Sequence, residues 1–265
     1  MIIDFHTHAF PDKIAERAIE SLQKKINVKP NTNGTIYDLT DRMKQWNIQY
    51  SVICNIATNP AQTFNVNNFA INVQNTVPSV FSLGSVHPEF ENIEGEILRL
   101  KENGIKGIKI HPDYMGHDID ENCFTVIFDI CSELDMFVVT HAGFDVCSPN
   151  HIHATPDMIL RVINNHPKLK LIAAHFGANM MFDEVCEKLC GKNLWIDTSL
   201  AYIENVDPKS LEKILRSHDP DRILYGSDCP WCPPDENVKF IENFDLSSNL
   251  YEKIFEKNAR ILLGI

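Results

Sequence analysis

The chain has 265 residues, 44% of them hydrophobic and 23% charged, a composition of ordinary globular proteins that argues against disorder and fibrous folds. With 36 acidic and 24 basic residues the net charge is −12 and no basic cluster extends beyond Lys24-Lys25, so a nucleic-acid partner is not expected. No apolar run reaches membrane-spanning length, and eight scattered cysteines with no leader ahead of Ile2-Ile3-Asp4 fit a reducing cytoplasm, where thiols act as small hydrophobes.

In chain order, a strand at 2–6 (IIDFH) precedes helix-like stretches at 12–25 and 38–46. A strand at 50–56 leads to a helix at 65–76, a strand at 80–86 to a helix at 92–103, and a strand at 105–111 to a helix at 122–134. The run at 136–142 precedes a helix at 156–165, whose start is marked by Thr155-Pro156-Asp157. Strands at 169–175, 194–199 and 222–227 alternate with helices at 180–190, 208–217 and 235–243, and Asp207-Pro208 opens the second of these. Eight strands alternating with helices predict a parallel sheet, and a length near the roughly 250 residues of one (β/α)₈ barrel predicts a single TIM-barrel domain over 1–265. An open doubly wound sheet shows the same alternation, but no G-x-G-x-x-G follows the first strand.

The chemistry sits at strand ends. In Asp4-Phe5-His6-Thr7-His8 strict alternation places Asp4, His6 and His8 on one side, where two imidazoles can converge on one ion. Four later apolar runs close on polar residues: His111 ends IKGIKIH, His141 ends MFVVTH, His175 ends LKLIAAH and Asp228 follows RILYGS. Singly, each reads as a satisfied core histidine or a helix-capping aspartate. Jointly they face one mouth, because all C-terminal strand ends of a barrel do, and they read as a metal site.

Ile3-Asp4-Phe5-His6-Thr7-His8, Thr140-His141-Ala142-Gly143, Ala174-His175-Phe176-Gly177, Gly226-Ser227-Asp228-Cys229-Pro230-Trp231 and the tail Asn258-Ala259-Arg260-Ile261-Leu262 resemble the amidohydrolase superfamily. The resemblance is greatest to the amidohydrolase 2 branch, which includes aminocarboxymuconate-semialdehyde decarboxylase. It implies that His6, His8, His141 and Asp228 ligate one divalent metal, usually zinc. It also implies that His175 stabilises charge in the transition state and that Asp228 shuttles a proton. A homodimer is common among such proteins. Binuclear members carry a carboxylated lysine or a glutamate on strand 4; here Lys109 and His111 share a face. Lys109 therefore reads either as a bridge to a second ion or as a residue one layer deeper that neutralises Asp4 or an acidic neighbour, leaving His111 to contact substrate.

Two long loops at the expected mouth, 112–121 and 144–155, supply pocket candidates Asp113, Tyr114 and Phe144, joined by Trp231, with His87 and Phe10 behind them. His151-Ile152-His153 repeats the H-x-H spacing in a polar loop with no pleat to align the rings, so no metal site is expected there. Cys229-Pro230-Trp231-Cys232 imitates a redox pair, but Pro233-Pro234 delays the following helix. No G-x-S-x-G elbow is present.

Three functions follow. The first is hydrolysis of a small ester, lactone or amide, since metals lower the pKa of water. The second is non-oxidative decarboxylation of an aromatic or unsaturated acid. The third is a non-catalytic metal-binding or redox module. Decarboxylation needs a group to hold the carboxylate, and the arginines (17, 42, 99, 161, 216, 222, 260) lie in helices or at strand starts. That favours hydrolysis of a small molecule.

Overall fold

The computed structural model describes residues 1–200 and 206–265. Strands β1 (Ile3–Thr7), β2 (Tyr50–Ile53), β3 (Val80–Ser82), β4 (Gly107–Ile110), β5 (Phe137–Thr140), β6 (Lys170–Ala173), β7 (Trp195–Asp197) and β8 (Ile223–Leu224) are all parallel. The order runs β1-β2-β3 and β4-β5-β6-β7-β8. Two bridges join these arcs. Gly84 pairs with Ile108 between β3 and β4, and Thr7 pairs with Cys229 between β1 and the end of β8. The sheet is therefore a closed eight-stranded barrel.

Helices α1 (Asp12–Ile26), α2 (Ile36–Gln45), α3 (Thr63–Thr76), α4 (Ile93–Glu102), α5 (Pro112–Met115), α6 (Thr125–Glu133), α7 (Pro156–Asn165), α8 (Phe182–Lys188), α9 (Pro208–Ser217), α10 (Pro234–Glu242), α11 (Ser248–Glu252) and α12 (Asn258–Leu263) lie in the connections and at the C-terminus. The Thr155 side chain accepts from Met158 N at the start of α7, and Asp207 accepts from Lys209 N at the start of α9. Each satisfies one of the N–H groups a helix start leaves open, with proline just inside. Among the described residues no helix is long and apolar enough to cross a membrane.

Strand alternation sorts the core into two layers. Ile3, Phe5, Val52, Leu83, Phe137, Val139, Ile172 and Leu224 pack inside the barrel with Ala259 and Leu263 of α12. Ile53, Ile108, Ile110, Val138, Leu171, Ile196 and Ile223 face the helices. Each such buried side chain contributes roughly 1.5–3 kcal/mol. The inner apolar plug fills the N-terminal half of the barrel and leaves the C-terminal half for polar groups.

Three expectations change. After β1, the strands are shorter at their C-terminal ends than the apolar runs suggest, with β8 reduced to two residues and β3 to three. There the chain turns sharply: His175 and Phe176 have φ of 58° and Asp228 has φ of 69°. Such left-handed conformations are costly for residues with a Cβ and cluster at functional sites. The 112–121 loop begins with the short helix α5 rather than open coil. Finally, a register shift between Asp4 and Thr7 breaks the alternation of β1. One extra residue there turns Asp4 away from His6 and His8; its carboxylate accepts from Ser227 N at 2.9 Å and Ser227 Oγ at 2.6 Å.

Candidate metal centre

The β1 bulge brings His6 beside the ends of β7, β8 and β4. His6 Nδ1 donates to Asp197 Oδ2 at 2.8 Å, which leaves Nε2 with a lone pair. His8 Nδ1 donates to the Cys54 carbonyl at 3.0 Å, with the same result. Both Nε2 atoms face Asp228 Oδ1, at 3.4 Å from His6 and 2.9 Å from His8. Two imidazole lone pairs and a carboxylate oxygen thus converge with no proton of their own between them. These three atoms lie within 4.8 Å of one another, and an N, N, O set of this kind fits a divalent metal.

Asp197 fixes a second chain of protons. Ser199 Oγ donates to Asp197 Oδ1 and therefore accepts from His175 Nδ1 at 2.8 Å. His175 Nε2 then accepts from His141 Nδ1 at 3.0 Å. His141 is left with its Nε2 lone pair, a buried atom without a hydrogen-bond partner. Asp197 also accepts from the His175 backbone N–H at 3.0 Å, holding the left-handed turn. Burial pulls His6, His111, His141 and His175 all well below the usual imidazole range, so these rings are neutral and ready to act as ligands.

Backbone spacing protects this arrangement. A Cβ on Gly226 would stand 2.8 Å from His6 Cβ, so only glycine lets β8 pass behind the His6 ring. At Gly143, where φ is +81°, a Cβ would stand 2.2 Å from Asn179 N, where the loops after β5 and β6 bridge.

Strand β4 places Lys109 at the level of the ligands. Its Nζ is 3.3 Å from His6 Nε2, and the residue is 1% exposed. Of the alternative, a deeper lysine neutralising Asp4 or an acidic neighbour, the Asp4 part is not what the structure holds, since Asp4 is engaged by Ser227. Burial instead raises the Asp4 carboxyl to about 7, against hydrogen bonds from Ser227. His111 stacks between Tyr114, at 3.7 Å between ring centroids, and His141, at 4.1 Å. Its Nε2 lies 3.4 Å from Asp145 Oδ2. His111, His141 and Asp145 form another group of close ligand atoms.

The centre opens into a cavity of about 1350 Å³. Of the pocket candidates, Tyr114, Phe144, Trp231 and Phe10 line it. Asp113 and His87 do not; the Asp113 carboxylate is fully buried beside His111. One wall is an apolar stripe of α1, formed by Ile14, Ala18, Leu22 and Ile26 at the spacing of one helix face, faced by Val66 and Phe69 of α3. No arginine lines the cavity among the described residues, whereas Lys29 and Lys109 do.

Sequence reading missed Asp197, Ser199 and Asp145. Asp197 carries the same signal as the recognised residues, since it closes the apolar run LWID. Asp145 follows the His141 strand within a loop and carries no such signal. The Cys229–Cys232 pair is reduced and buried, and burial holds the Cys229 thiol well above its usual range, the opposite of an activated redox cysteine. His151 and His153, by contrast, do converge, both on Asp118 Oδ1.

No curated protein matches the chain. Among solved structures it is similar to an uncharacterized TIM-barrel protein from Bordetella bronchiseptica, with 16% identity over 99% of this chain and 98% of that one and a TM-score of 0.76. A 2,6-dihydroxybenzoate decarboxylase in complex with 2,6-dihydroxybenzoate is 14% identical over 100% and 99% of the two chains, with a TM-score of 0.72. The 5-carboxyvanillate decarboxylase of Novosphingobium aromaticivorans, complexed with manganese and 4-hydroxy-3-methoxy-5-nitrobenzoic acid, is 15% identical over 100% and 96%, also at 0.72. At these identities the likeness establishes the shared barrel. The amidohydrolase family profile matches residues 3–265, and the chain belongs to that family.

Proposed function

We propose that this protein is a metal-dependent, non-oxidative decarboxylase of an aromatic carboxylic acid whose ring bears, or is fused to, a further apolar group. The observation that carries this reading is Lys109, a buried lysine at the floor of a large apolar cavity and 3.3 Å from the metal-facing nitrogen of His6. The lack of a mouth arginine favours hydrolysis only if no other cation can hold a carboxylate, and Lys109 can. Two structurally similar proteins act on substituted benzoates. The cavity is roomier than one substituted ring requires, and the α1 stripe would take the additional apolar surface.

One divalent ion, zinc or manganese, would be held by His6, His8 and Asp228, whereas His141 groups with His111 and Asp145 and would join as a further ligand only by a shift of its ring. When bound, it supplies Lewis acidity to an oxygen of the substrate. Lys109 pairs with the carboxylate, and the aromatic ring lies among Tyr114, Phe144 and Trp231, which line the cavity. Asp228 would first take a proton from water; as the bond to the carboxylate carbon breaks, its electron pair stays on the ring carbon, Asp228 delivers that proton there and returns to a carboxylate, and CO₂ departs. His175, held by Ser199 and Asp197, donates no proton and keeps His141 in its ligand tautomer.

Hydrolysis of an ester, lactone or amide is the second reading. It keeps the same metal ligands and would need His175 in its other tautomer, with the proton on Nε2, to stabilise a developing oxyanion. One panel separates the two. The metal-loaded chain is offered 2,6-dihydroxybenzoate, a hydroxynaphthoate, and sets of esters, lactones and amides, with CO₂ release and hydrolysis both followed. Decarboxylation predicts CO₂ release, with a lower KM for the naphthoate than for the single ring. Turnover of lactones or esters with no CO₂ from any acid would transfer the assignment to hydrolysis.

A further inference from the structure

Away from the barrel centre, the two long mouth loops meet over a cluster that the reading above does not use. Asp118, from the loop after β4, receives both imidazoles of the loop after β5 on one oxygen. His151 Nε2 is 2.7 Å and His153 Nδ1 is 2.8 Å from Asp118 Oδ1. The rings are 4.4 Å apart at 79°, so their nitrogens approach the oxygen from different directions rather than side by side. The backbone holds the pair of loops in register independently of these side chains, since Ile119 N donates to His153 O at 2.8 Å.

We infer that Asp118, His151 and His153 form a second transition-metal site, of the His₂-carboxylate type, that clasps the two loops at the mouth of the barrel. All three ligand atoms lie within 4.8 Å of one another. Two imidazole nitrogens and one carboxylate oxygen suit Zn²⁺ or Cu²⁺ and disfavour Mg²⁺ and Ca²⁺, which prefer all-oxygen shells. A cation can take the place of the two donated protons because each neutral ring can carry its proton on the other nitrogen. His151 is 55% exposed and His153 17%, so the remaining coordination positions are open to water. Such a site binds more weakly than the buried centre, and its role is to pin the loops rather than to react.

The test is Zn²⁺ titration of the full, metal-stripped chain by calorimetry, with bound metal counted after dialysis. Wild type takes up a tight equivalent and a weaker one. Asp118→Asn and His151→Ala each weaken the second by at least roughly tenfold and keep the first. His8→Ala shows the reverse pattern. His151 is exposed, so its truncation leaves the core intact, and melting in chelator verifies this for both variants. A second readout is the melting temperature of wild type, which rises further as the weaker equivalent binds, whereas that of His151→Ala does not. The inference is overturned if wild type binds one equivalent only. It is also overturned if the second equivalent persists in both loop variants, or if it vanishes in Lys109→Met instead, which would place it at the barrel centre.

Discussion

The two sides of the barrel mouth are built differently. On the β1, β7 and β8 side, Asp197, Ser199, Ser227 and Asp4 satisfy every side-chain donor around His6, and among the described residues none of their buried atoms lacks a partner. On the β4 and β5 side, His111 Nδ1, Asp113 Oδ2 and His141 Nε2 are all buried without one. The difference teaches a division of labour. One side is a cradle that fixes the tautomers of its histidines; on the other, His111 and His141 each present an uncommitted ring nitrogen at the cavity wall, with the buried Asp113 oxygen beside His111.

The largest effect should come from breaking the cradle at Asp228. Asp228→Asn retains some metal, because His6 and His8 remain, but loses the proton carrier; turnover falls about 10³-fold. Near-normal turnover with metal bound would remove Asp228 from proton transfer. Next is Asp197→Asn, which touches no substrate yet releases both histidine chains. An amide can donate as well as accept, so His6 Nδ1 and Ser199 lose their fixed partner. Metal affinity should drop about 10- to 100-fold, read by competition with a chelator. An unchanged affinity would show that the cradle does not depend on Asp197.

Much of the cradle was legible in the sequence, and the reason is physical. His6, His8, His141, His175 and Asp228 each stand where an apolar run stops, and barrel geometry gathers such endings at one mouth. Asp197 ends its run in the same way but lies inside the strand expected over 194–199. The bulge in β1 has no comparable signature, because one extra residue in a five-residue strand leaves the composition unchanged. It nevertheless decides that Asp4 serves Ser227 instead of joining His6 and His8. The meeting of His151 and His153 on Asp118 was unreadable for another reason: it depends on where two loops fold over each other, and neither loop's sequence specifies that.

The open side yields smaller effects that test its purpose. Lys109→Met removes the carboxylate partner while keeping much of the bulk. A charge-assisted hydrogen bond contributes about 1.5–3 kcal/mol, so KM for an aromatic acid should rise about 10- to 100-fold. If the pairing is equal in ground and transition states, kcat stays nearly constant. A collapse of kcat together with loss of one metal equivalent would instead identify Lys109 as a bridge between two ions.

The smallest effect concerns stability, and it follows from Asp113. Burial, followed by the nearby charge of Asp145, raises its carboxyl from an ordinary 3.8 to about 6. The folded state therefore holds the proton more tightly than the unfolded state does. Stability from this group is fully present below about pH 4 and is lost as pH rises through about 6. A shift of that size corresponds to at most about 3 kcal/mol above pH 7. Asp113→Asn cannot ionise, so it should be more stable than wild type at pH 8 and lose that advantage toward pH 5. Urea unfolding of both proteins at the two pH values isolates the effect, since all other titrations cancel in the difference. A gap independent of pH would mean that Asp113 is already paired in solution.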